Sequence, residues 1–189
     1  MTLKISAEAN AMRSQGIDVV NLSVGQPDFP TPSHVKAAGR AAIDENKTGY
    51  TPNPGTPELR QAIADWLRQE QGLTYDVPEI LGSNGAKHSL FNLVMAVVNE
   101  GDEVLIPAPY WVSYPEMVKI AGGIPVIVET GEEDGFRLTP EVLRAAVTEK
   151  TKLLFLNSPS NPTGAAYDRE QPRAIGEVVV GKDLLVVSD

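Results

Sequence analysis

Leu153-Leu154-Phe155-Leu156 runs without a break into Asn157-Ser158-Pro159-Ser160-Asn161-Pro162-Thr163-Gly164. Four consecutive apolar residues bounded by a turn-forming tract read as a strand buried on both faces. A tight turn needs only one or two of Asn, Pro and Gly. Two prolines, each near an Asn, with a closing Thr-Gly ask for a fixed backbone and an aimed Asn side chain. The tract therefore reads as a ligand-facing loop at the carboxyl end of a strand, the plainer reading being a rigid turn.

Outward from this stretch the pattern repeats. Val104 to Ile106, Ile124 to Val128 and Leu184 to Val187 are further apolar runs that read as buried strands, and the segments between them are long enough for crossover helices. The predicted fold class is α/β, a mostly parallel sheet sandwiched by helices. Thr56-Pro57 gives an N-cap followed by Pro at the first helical position. Leu59, Ala62, Ile63, Trp66 and Leu67 then form an apolar stripe that Gly72 stops. Thr139-Pro140 repeats the start signal. Residues 23 to 33 and 50 to 57, rich in Pro, Gly and Thr, read as ordered loops. A domain edge is placed near residue 35, giving an N-terminal arm and small-domain segment over 1–34 and a larger domain over 35–189.

Composition narrows the function. With 189 residues and 42% hydrophobic content the chain can bury a core. There is no cysteine, which removes disulfides, thiolate metal sites and a Cys nucleophile, and only two separated histidines, His34 and His88, so a His-based metal site is not expected. A net charge of -9 argues against a nucleic-acid partner. No apolar run approaches the ~20 residues of a membrane span and the N-terminus does not read as a signal peptide, so a cytoplasmic protein with no membrane partner is expected. The chain stops at Asp189 directly after a strand that should lie inside a sheet, and a truncated chain is expected.

Chemistry-bearing residues fall after the strands, where open α/β sheets bind ligands. Ser83-Asn84-Gly85-Ala86-Lys87 follows the strand-like Ile80-Leu81 and opens a helix patterned by Leu90, Phe91, Val94 and Val97. Its small residues leave backbone N–H groups uncovered at a helix N-terminus, a site for one phosphate with Lys87 nearby, or an ordinary strand-to-helix turn. Pro107-Ala108-Pro109-Tyr110-Trp111 follows the next strand and places an aromatic either for stacking a flat ligand or for the core. Asn161 comes from the third strand end and Asp189 from the fourth. A phosphate anchor, a stacking ring, an amide donor and a carboxylate that needs a cation or a protonated ring nitrogen together describe pyridoxal 5'-phosphate.

Five motifs in order carry a resemblance across the whole chain: Ser23-Val24-Gly25-Gln26-Pro27-Asp28-Phe29, Tyr50-Thr51-Pro52 with Gly55 through Leu59-Arg60, Gly85-Ala86-Lys87, Pro109-Tyr110-Trp111-Val112-Ser113-Tyr114-Pro115, and Asn161-Pro162-Thr163-Gly164. The chain resembles the class I aminotransferases of fold-type I, the pyridoxal-phosphate superfamily, especially the bacterial aspartate aminotransferase branch. The resemblance implies the first part of that family's cofactor-binding large domain and transfer of an amino group from an L-amino acid, aspartate foremost, to a 2-oxo acid. It implies that Gly85, Ala86 and Lys87 hold the cofactor phosphate, that Trp111 stacks on the pyridine ring, that Asn161 bonds the phenolic oxygen, and that Asp189 pairs with the ring N–H. Gly25 would approach the substrate carboxylate, with Trp111 and Asn161 also on the substrate side. Tyr50 would reach the phosphate in a neighbouring subunit, which implies a homodimer with shared sites.

The family's Schiff-base lysine, a Tyr shortly after the strand Asp and the arginine for the substrate α-carboxylate are not matched here, so no catalytic residue is assigned and these 189 residues alone are expected to be inactive. Another reading is a non-catalytic split gene product that acts as a cofactor-binding or interaction module. Gln171-Pro172-Arg173 and Gly176 depart from good helix-forming sequence, a weakness of up to a few kcal/mol if Pro172 falls inside the helix.

Overall fold

The computed structural model describes residues 2–21, 25 and 27–189. Ser23, Val24 and Gln26 of the first motif lie outside the described residues. The chain divides into two compact units, Met1–Thr51 and Pro52–Asp189.

The first unit carries two helices, α1 (Thr2–Ser14) and α2 (Ser33–Asp44). The Arg13 guanidinium donates to the Val19 carbonyl at 3.0 and 3.2 Å, which ties the end of α1 to the chain that follows. His34 lies exposed in α2, a helix with no buried residue.

The second unit begins with α3 (Pro57–Trp66). The Thr56 hydroxyl oxygen accepts the Leu59 N–H at 3.3 Å, and Pro57 occupies the first turn, where its missing N–H removes no helical bond. The helix widens into a π turn over Leu67–Gln71 and Gly72 closes it. None of the five residues of the predicted stripe is buried: Leu59 and Trp66 are about half exposed, and the buried residue of the helix is Ala64, outside the stripe.

Next come α4 (Ala86–Val97), β1 (Glu103–Ala108), α5 (Ser113–Ile120), β2 (Ile124–Glu129), α6 (Pro140–Ala146), β3 (Thr151–Leu156), α7 (Gln171–Gly181) and β4 (Leu185–Ser188). The four strands pair in parallel in the order β2-β1-β3-β4. All four predicted strands are present. The expectation that each is buried holds only for the inner two: Val104 to Ile106 and Leu153 to Phe155 are buried, whereas Ile124, Ile127, Leu185 and Val186 on the outer strands are exposed. An outer strand has a neighbour on one side only, so apolar content alone does not distinguish it from a central strand.

Alternation along the strands builds two cores. Val104, Ile106, Leu153, Phe155 and Val187 pack with Leu90 and Val94 of α4 and Met117 and Val118 of α5. Leu105, Leu154 and Val128 pack on the other side with Leu143 of α6 and Ile175, Val178 and Val179 of α7. Each fully buried aliphatic side chain stabilises the fold by about 1.5–3 kcal/mol, so the sheet is fixed from both faces. Gly123, between α5 and β2, is demanded by packing: a Cβ there would lie 2.5 Å from Val98 Cγ1 and 3.0 Å from Val118 Cγ1.

Ile80 is extended, but Ile80-Leu81 forms no strand. The Ile80 N–H donates to the Val77 carbonyl at 3.2 Å, and its own carbonyl accepts Arg60 Nε at 2.7 Å, so a side chain replaces the ladder. Pro172 falls in the first turn of α7, where proline is tolerated, and the larger helix penalty does not arise.

Candidate active site

Trp111, Asn161 and Asp189 follow strand ends, and Lys87 of α4 joins them in one linked set. Gly85 precedes α4 with φ 84° and ψ 164°, a conformation open almost only to glycine, and a Cβ on it would meet nothing within 4 Å. Its N–H donates to the Ser83 carbonyl at 2.8 Å, while among the described residues the N–H groups of Ala86 and Lys87 find no acceptor. Such free amides at a helix start are ready for an anion. His88 stabilises the same turn, its Nδ1 accepting the Asn84 N–H at 3.3 Å. The Ser83 hydroxyl is buried without a hydrogen-bond partner.

Lys87 Nζ stands 4.7 Å from the centroid of the Trp111 ring. Trp111 is half-buried and meets Tyr114 of α5 in a T-shaped contact, with centroids 5.4 Å apart and planes at 84°. The alternatives for this ring thus meet in one residue: part of it belongs to the core and part remains accessible. A flat ligand on the indole face that Lys87 covers would displace an exposed ammonium whose attraction is only about 0.5–1 kcal/mol.

Tyr114 is buried, stacks on Phe155 at 4.5 Å and 19°, and donates its hydroxyl to Oδ2 of Asp189. Burial first, then the hydrogen bond to Asp189 and the negative charge there, push the phenol well above its ordinary value, so Tyr114 stays a neutral donor. Oδ1 of Asp189 accepts no hydrogen bond among the described residues and is left for a cationic donor.

Asn157 joins β3 to β4. Its Nδ2 donates to the Asp189 carbonyl at 2.9 Å and its Oδ1 accepts the Asn161 N–H at 2.7 Å. The Ser158 N–H donates to the same Asp189 carbonyl at 3.1 Å, and the Asp189 N–H to the Leu156 carbonyl at 3.0 Å. The loop folds back on itself through Gly164 N–H to Ser160 C=O at 2.7 Å and Ser160 N–H to Ala165 C=O at 2.8 Å. Asn157, half-buried, is thus the amide that bridges the ends of β3 and β4, while Asn161 is exposed.

Lys87, Trp111, Asn161 and Asp189 are thereby connected through Tyr114 and Asn157. Gly25 and Tyr50 belong to the first unit, where both are exposed. Tyr114 and Asn157 were not singled out from the sequence. Tyr114 carried a signal in its place one helical turn after Trp111, and Asn157 in its position as the first polar residue after a buried strand. Beneath this set lies a cavity of about 20 Å³ bordered by Tyr110, Tyr114, Phe155, Asn157, Ser160 and Tyr167, room for about one water. Tyr167 accepts the Leu138 N–H at 2.8 Å; burial raises its pKa, an effect opposed by that hydrogen bond and by Arg137.

This arrangement is an α/β layered fold that brings free helix amides, an indole and a carboxylate together beside the strand ends. The sequence pattern of the family Aminotransferase class I and II matches residues 17–189, and the chain belongs to that family. It is 50% identical over its whole length to a probable aspartate/prephenate aminotransferase of Thermus aquaticus, covering 49% of that protein, and 48% identical to an aspartate aminotransferase of Bacillus subtilis (strain 168), covering 48%. The fold superposes with a TM-score of 0.96 on an aspartate aminotransferase from Thermus thermophilus bound to maleate, at 49% identity over 100% of this chain and 49% of that one. The chain spans about half the length of the curated relatives it matches. No described helix is long and apolar enough to cross a membrane.

Proposed function

We propose that the chain serves an aminotransferase that moves the amino group of an L-amino acid, aspartate foremost, to a 2-oxo acid with pyridoxal 5'-phosphate, and that residues 1–189 supply the part that grips the cofactor. The observation that carries this reading is the linked set from Lys87 to Asn161, which joins free helix amides, an indole and a carboxylate at one sheet edge.

The residues present fit the cofactor. The Ala86 and Lys87 amides, with the helix dipole and the Lys87 ammonium, would take the phosphate, and the Gly85 turn leaves room for it. Trp111 would stack on the ring, Asn161 would donate to the phenolic oxygen, and the free oxygen of Asp189 would accept the ring N–H. When bound, the cofactor supplies an electron sink for the pair left at the substrate Cα. Asp189 then acts by holding a proton on the ring nitrogen: a carboxylate beside it favours the charged ring. Trp111 keeps water off one ring face. Gly25 would approach the substrate carboxylate, and Tyr50 would serve the phosphate of a neighbouring subunit in a cytoplasmic homodimer. The division into an arm over 1–34 and a larger domain over 35–189 belongs to the same proposal, and no observation favours a non-catalytic module.

The test uses the 189-residue chain carrying Trp66→Phe, which leaves Trp111 as the only fluorophore of its kind. Pyridoxal phosphate is expected to quench Trp111 saturably and inorganic phosphate to compete. Since no Schiff-base lysine is matched in these residues, aspartate-dependent oxaloacetate formation is expected to be absent. Quenching that rises linearly without saturation would remove the reading.

A further inference from the structure

Tyr114 is used by none of the steps above, yet it is the most constrained polar side chain near them. It is 2% exposed and contacts both the Phe155 ring, stacked at 4.5 Å, and the Trp111 ring, T-shaped at 5.4 Å. A phenylalanine would fill the same volume without burying a hydroxyl, and a buried hydroxyl costs free energy unless it is hydrogen-bonded. Asp189 Oδ2 is the partner of that hydroxyl. The backbone of Asp189 is held as well, its carbonyl accepting from Asn157 Nδ2 at 2.9 Å and Ser158 N–H at 3.1 Å. An exposed aspartate at a strand end otherwise rotates about both side-chain torsions. The loop after β3 thus holds the backbone of Asp189, and Tyr114 of α5 holds its carboxylate.

We infer that Tyr114 is a positioning residue for the cofactor ring: its hydroxyl holds one oxygen of Asp189 so that the other stays available to the ring N–H. The inference rests on the proposed function, in which Asp189 faces the ring nitrogen. It assigns Tyr114 a task separate from core filling, one that Phe cannot perform.

The experiment compares pyridoxal phosphate with its 1-deaza analogue, whose ring carries C–H in place of nitrogen, by Trp111 quenching in the Trp66→Phe chain. Tyr114→Phe is expected to weaken pyridoxal phosphate binding about tenfold, the scale of one hydrogen bond to a charged group, and to leave the analogue's affinity within about twofold. In an Asp189→Ala background the same change should have no further effect, as a double-mutant cycle requires. Equal loss for both ligands, no loss for either, or additivity with Asp189→Ala would overturn the inference. If the unsubstituted chain holds both ligands equally tightly, the ring-nitrogen reading of Asp189 itself has failed, and the inference falls with it.

A cofactor-free measurement guards against a folding defect in the Phe variant. Ultraviolet titration of the phenols should show the most resistant tyrosine moving down, part of the way to its ordinary value, in Asp189→Ala. An unchanged titration would show that Tyr114 and Asp189 are not bonded.

Discussion

Arg60 offers the sharpest perturbation. Its Nε donates to the Ile80 carbonyl at 2.7 Å and its terminal amino group to the Val77 carbonyl, so one guanidinium pins the segment that leads into the Gly85 turn. Arg60→Met keeps the aliphatic stem and removes both donors. The two acceptors then fare differently. Val77 keeps the Ile80 N–H at 3.2 Å, whereas the Ile80 carbonyl is left with no donor among the described residues. A hydrogen bond from a charged donor contributes about 1.5–3 kcal/mol and the shared one about 0.5–1.5, so the expected loss is about 2–4 kcal/mol. With a urea dependence of about 2 kcal/mol per molar, the unfolding midpoint should fall by about 1–2 M. Arg60→Lys should recover less than half, because one ammonium does not span two carbonyls in a fork. A midpoint within about 0.3 M of the unsubstituted chain, beyond the reach of the error in such measurements, would refute the assignment of Arg60 as the clamp of this segment.

Two further expectations concern the turn and the buried phenol. Gly85→Ala forces a side chain onto a backbone at φ 84°; a stability loss of about 1–3 kcal/mol, read by urea unfolding, should come with weaker cofactor quenching, and an unchanged midpoint would show that the turn relaxes freely. Tyr114 is raised above its ordinary value of 10.0, so the folded chain holds this proton more tightly than the unfolded one. Its contribution is complete below pH 10 and is lost as pH rises above it, giving a midpoint that falls more steeply in alkali than that of Tyr114→Phe. Tyr167, raised in the same direction, keeps part of the slope in the variant; identical slopes would contradict the burial of Tyr114.

What the sequence made legible follows from how local each signal is. Thr56-Pro57 and Thr139-Pro140 start helices through contacts three residues away, 3.3 Å from the Thr oxygen to the Leu59 and Val142 amides, so both starts could be read directly. The strands were readable because apolar runs of this length have few other uses, but their places in the sheet were not, since Leu185 and Leu153 look alike until a neighbour is assigned. Ile80-Leu81 misled for a related reason: whether an extended carbonyl meets a strand or the Arg60 guanidinium depends on a residue twenty positions away. The candidate site showed the same division. Gly85, Trp111 and Asp189 stood out by type and position, whereas the roles of Tyr114 and Asn157 arise only from partners 75 and 32 residues distant.

The inner strands send neighbouring residues to opposite sides, Val104 and Ile106 toward α4 and α5, Leu105 toward α6 and α7. Sliding β1 by a single position would exchange its inhabitants between two differently shaped interiors, and a one-residue shift turns every side chain over. Each loop at the top of the sheet therefore emerges at one height, as teeth on a rack meshed from both sides. Whatever binds there meets Trp111 and Asp189 at a spacing set by methyl groups some distance below them.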